Sequence, residues 1–261
     1  MTGLAAWLLV IGVCDLLRAT RDTITPRHRW SLVALGLALL GFLGVWLSLP
    51  ARGWATVGVT WVVGLVGWLV ASSLALDAEG TLRPRWRATA FSALVVPVLL
   101  LGLFGDAVDL DGSLPGSVDD SVLGLMGPQV ALLFLGVLAV QVSTANIAVR
   151  LLLDAVGVPA VTNEKKLKGG RMLGPMERLF IVGLGLAGSI GAAAVVVAAK
   201  GLLRYPELQR TEREEGPTDV SEYFLIGSFA SWLIALAGLG VIALGIRVQG
   251  SPELWLMSVL G

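Results

Sequence analysis

Apolar runs of roughly 18–25 residues, separated by short polar stretches, recur along the whole chain. A hydrocarbon core about 30 Å thick takes about 20 helical residues to cross. No water is present there to satisfy backbone N–H and C=O groups, so only helices or a closed barrel can span it. Barrel strands alternate apolar and polar side chains, whereas these runs are apolar all round. The sequence therefore predicts an all-α, polytopic transmembrane helix bundle, with residues 1–261 forming a single transmembrane domain. Composition agrees. Of the 261 residues, 56% are hydrophobic, against about 45–50% in soluble domains, and the mean hydropathy is +0.82.

Seven spans are expected, over about 3–18, 30–49, 54–76, 88–103, 129–153, 175–203 and 222–246. The first is short and holds Asp15. It lacks the positive leading segment of a secretory signal, so it reads as a retained span. The fourth contains Pro97, an expected kink. The sixth covers 29 residues, which at 1.5 Å each give about 43 Å. It reads as one tilted or kinked helix in preference to a break at Gly188-Ser189-Ile190-Gly191. Trp30, Trp54 and Trp86 fall at span edges, as in an aromatic belt. Trp61 and Trp68 share one face of the third span and form a packing or lipid-facing stripe. The halves of the chain do not match in hydropathy, so the inverted repeat of many transporters is missing.

Short loops rich in Lys and Arg stay on the cytoplasmic side. The connectors at 19–29, 77–87 and 155–171 are basic, while 105–127 carries five aspartates and no Lys or Arg. Seven spans place the three basic connectors together, with the N-terminus outside and the C-terminus cytoplasmic. Fifteen arginines against four lysines, with abundant Ala, Gly, Val and Leu, point to a GC-rich bacterial genome and hence to a bacterial cytoplasmic membrane. The formal net charge is zero, and no basic domain or aromatic–basic platform suggests nucleic acid. Cys14 is the only cysteine, so no internal disulfide forms. No metal cluster, Walker-type loop or GxSxG elbow is present, so no metal or cofactor is expected and no catalytic residue is assigned.

Ionisable groups inside spans are expensive and mark candidate sites. Two sets stand out. On the inner side, Asp15 and Arg18 are spaced i,i+3. Asn146, Arg150 and Asp154 share one helix face, and Glu177 and Arg178 open the sixth span. These helix ends are expected to bring mixed charge to one level, as ion pairs fixing register, with a headgroup or substrate site as the alternative. On the outer side, Lys200 and Arg204 share a face and Glu222 begins the next span, an expected clamp. Gly183, Gly185, Gly188 and Gly191, followed by Ala192–Ala194, suit close helix approach.

Three ordered motifs carry a resemblance. They are Gly170-Arg171-Met172-Leu173-Gly174-Pro175-Met176-Glu177-Arg178-Leu179, Ala198-Ala199-Lys200-Gly201-Leu202-Leu203-Arg204 and Glu222-Tyr223-Phe224-Leu225-Ile226-Gly227. Over about residues 170–230 the chain is similar to the C-terminal part of an uncharacterised family of bacterial multi-pass membrane proteins. The resemblance implies that Glu177, Arg178, Lys200, Arg204 and Glu222 belong to one module, and it implies no activity. The expected role is a non-catalytic membrane subunit or scaffold, with membrane lipids and a second copy or another membrane protein as partners. The alternative is a protein that binds or transports a lipid or small solute through polar groups between the fifth, sixth and seventh spans.

Overall fold

Long apolar runs that must satisfy their own backbone form helices, and every described element is helical. The computed structural model describes residues 1–19, 24–77, 83–104, 128–158, 170–199, 201–202 and 219–248. The helices are α1 (Thr2–Arg18), α2 (Pro26–Trp46), α3 (Ala51–Asp77), α4 (Arg83–Phe104), α5 (Pro128–Ala155), α6 (Gly170–Leu186), α7 (Ile190–Ala199) and α8 (Asp219–Val248). Five of them, α2, α3, α4, α5 and α8, are long and apolar enough to cross a membrane.

The shortest of the N-terminal helices is the innermost. Thirteen of the 17 residues of α1 are buried, and it packs against α2, α3, α4 and α5. Small residues make this possible. A Cβ on Gly12 would lie 2.6 Å from Ala139 Cβ and 2.7 Å from the Ala139 carbonyl carbon, and one on Gly136 would lie 2.8 Å from the Ala5 carbonyl oxygen. The α1 and α5 backbones are therefore nearly in contact. The neighbouring seams follow the same rule. Gly36 of α2 admits Leu65, and Gly64 of α3 admits the Pro97 ring of α4. Close approach of small residues maximises dispersion contacts, which drive helix association where lipid removes the hydrophobic contrast. Trp61 and Trp68 prove to be core residues, turned onto α1.

On the other side of α5 lie α8 and α6. Gly238 of α8 faces Gln141, Gly245 faces Leu133, and Gly185 of α6 faces Leu239. The outer helices turn apolar side chains outward: Phe42, Val63, Leu103, Phe104, Phe180 and Phe229 are exposed.

The sixth apolar region is not one continuous helix. It stops after Leu186 and restarts at Ile190. Gly188 adopts a left-handed φ of +72°. Its N–H bonds the Gly185 carbonyl, and the Ser189 N–H bonds the Leu184 carbonyl at 2.8 Å. This is the glycine-terminated helix end that satisfies the last free carbonyls. Ser189 then starts α7, its carbonyl accepting from the Ala192 N–H. The expectation of one tilted or kinked helix is corrected: Gly188 and Ser189 are a stop followed by a start.

Candidate functional site

The expected inner cluster divides into two separate networks. The first joins α1 to α3. Arg18 and Asp15 form an ion pair at 2.7 Å with both side chains almost fully buried. Their i,i+3 spacing puts them on one face of α1. Asp15 Oδ1 accepts from Arg18 Nε, and its Oδ2 accepts from Trp68 Nε1 at 2.9 Å. Arg18 also donates to Ser72 Oγ at 2.8 Å and lies 5.9 Å from the Trp68 ring centroid. Ser72 donates in turn to the Trp68 carbonyl. Among the described residues, the interhelical hydrogen bonds of the α1 charges run to α3.

The second network joins α5, α6 and α8, and Arg178 is its centre. Arg178 is 1% exposed. Its Nε donates to the Gln141 carbonyl at 2.8 Å, one terminal nitrogen to Ser231 Oγ at 2.7 Å, and the other to Asn146 Oδ1 at 2.5 Å. A local irregularity prepares this arrangement. Residues Val140–Thr144 form a π-turn within α5, and such wide turns loosen the regular i→i−4 ladder and recur at functional positions. The Gln141 carbonyl lies in this turn and takes the guanidinium. Ser143 uses the same turn to donate to the Gly12 carbonyl of α1 at 2.7 Å.

Gln141 reaches α8 as well, donating through Nε2 to the Ile234 carbonyl at 3.1 Å. Its Oε1 and the hydroxyl of Thr144 are buried without a hydrogen-bond partner among the described residues. Glu177, next to Arg178, is buried. Arg150 is half-buried one turn beyond Asn146. Arg87 of α4 donates to the carbonyl of Asp154, which ties α4 to the end of α5. Lys200, Arg204 and the Glu222 side chain lie outside the described residues, and so does the expected outer clamp.

No family model matches this chain, and no curated protein or solved structure matches it. The reading of the site therefore rests on geometry. Among the described residues, no group of three His, Cys, Asp or Glu side chains is placed to hold a metal ion. The partners that complete both networks, Trp68, Ser72, Gln141 and Ser231, were not among the residues singled out by charge. Gln141 carried one usable signal, an amide in the middle of an apolar run.

Proposed function

We propose that this chain is a seven-helix protein of a bacterial cytoplasmic membrane, N-terminus outside and C-terminus cytoplasmic, serving as a non-catalytic membrane subunit or scaffold. Five apolar helices of spanning length support the membrane reading. In this reading α1 and the α6–α7 region supply the other two crossings. At 17 residues, α1 is about 26 Å long, and its enclosure by four other helices spares it from matching the lipid by itself.

One observation carries the non-catalytic reading. All three nitrogens of Arg178 donate to protein acceptors on two other helices, so three of its five N–H groups are spent on fastening helices together. The test is purification of the full chain in native lipid particles, followed by mass spectrometry of everything retained. The expected result is a protein assembly of fixed stoichiometry, with itself or with a partner. A lone chain carrying a solute would overturn the proposal.

A second reading has its own support in the buried oxygens of Gln141 and Thr144, which face no donor among the described residues. Buried polar atoms are rarely left unpaired. A small polar ligand between α5 and α8 would answer them. In the same mass spectra it would appear as a solute lost on Gln141→Leu substitution.

A further inference from the structure

Two helices on the same end of the bundle begin with nearly the same residues. The first turn of α2 reads Pro26-Arg27-His28-Arg29-Trp30, and α4 begins with Pro84-Arg85-Trp86-Arg87 after its first residue. Proline near the helix start is favourable, because its fixed φ suits the helix and its missing N–H is not needed there. Arginine is not, because the helix N-terminus already carries about half a positive charge. Neither helix places an acidic residue in its first turn to compensate. The same electrostatic penalty is accepted twice at one end of the bundle.

The arginines divide by role. Arg29 reaches Ser73 near the end of α3, and Arg87 reaches the Asp154 carbonyl. These two hold the rim together. The side chains of Arg27 and Arg85 are exposed and bond to no described residue. Two tryptophans accompany them, Trp30 at 58% exposure and Trp86 half-buried. Of these arginines, Arg29 has the Asp77 carboxylate near it, while Arg87 meets a backbone carbonyl. Tryptophan beside exposed arginine at the end of apolar helices marks headgroup depth, and the exposed positive charge suits an anion there.

We propose that the rim formed by the α2 and α4 starts binds the headgroups of anionic phospholipids, with Arg27 and Arg85 as the phosphate contacts. The inference rests on the membrane reading. Arginine pairs with phosphate through its fork of donors, and a basic side chain near an anionic surface contributes roughly fivefold in affinity.

The test uses the full chain reconstituted in vesicles of equimolar phosphatidylcholine and phosphatidylglycerol, with retained lipids counted by native mass spectrometry. The unaltered chain retains phosphatidylglycerol preferentially. The double substitution Arg27→Gln with Arg85→Gln lowers that preference roughly 25-fold and leaves the unfolding temperature unchanged. Arg52→Gln, at the opposite end of α3 and also exposed, leaves the preference intact. Insertion with equal retention of both lipids, or equal losses in Arg52→Gln and the double variant, overturns the inference and spares the membrane reading. Failure to enter vesicles of either lipid overturns both.

Discussion

A buried arginine is the least forgiving residue in this molecule. Its charge is costly to bury, and its five donors must all be answered. Arg18 meets that demand with a carboxylate partner, whereas the acceptors that hold Arg178 are neutral oxygens. Asn146→Ala and Ser231→Ala should therefore each destabilise the fold by about 1–3 kcal/mol, because each leaves a buried guanidinium N–H without its acceptor. In an Arg178→Met background the same two substitutions should cost much less, since the donor that needed them is gone. Unfolding midpoints in detergent for the full cycle measure this, and strict additivity would argue that the contacts do not couple. Charge made Arg178 and Asp15 visible in the sequence. Spacing fixed which face of its own helix each occupies, but not which neighbouring helix that face meets. That is why one expected cluster resolved into two, and why Ser72 and Ser231, small and uncharged, gave no signal.

At the scale of the helix, glycine has two opposite meanings here. Gly12 is a contact, with no room for a methyl between α1 and the α5 backbone, while Gly183 has nothing within 4 Å of an added Cβ. Gly12→Ala should push the two helices apart and cost about 1–3 kcal/mol. Gly183→Ala should be neutral or stabilising by up to about 1 kcal/mol, because alanine is the better helix former. Thermal unfolding of the two variants side by side tests the pair, and equal effects would mean that the α1–α5 seam is looser than described. Helical character itself was legible, since an unbroken apolar run leaves the backbone no other partner. The break in the sixth region was not decided by the sequence. Gly188-Ser189 suits both a bent helix and a stop followed by a start, and only the left-handed φ of Gly188 separates them. The π-turn at Val140–Thr144 left no compositional trace.

For the whole molecule, the arrangement of ends is the strongest constraint. The 27 residues of α3 extend about 40 Å, more than the hydrocarbon thickness of about 30 Å. Arg52 at its start and Asp77 at its end must then lie on opposite faces if α3 crosses. Arg29 of α2 bonds Ser73 near the end of α3, so the starts of α2 and α4 share the Asp77 face. The proposed orientation makes that face cytoplasmic, because the basic connectors gather there. Single cysteines at Arg52 and Arg85 read this directly in a Cys14→Ala background, which removes the one native thiol. A membrane-impermeant maleimide added to intact cells should label Arg52→Cys and spare Arg85→Cys, which should react only after permeabilisation. The reverse pattern would invert the topology while keeping the crossing. Labelling of both from outside would mean that α3 does not cross, and the seven-helix reading would fail with it.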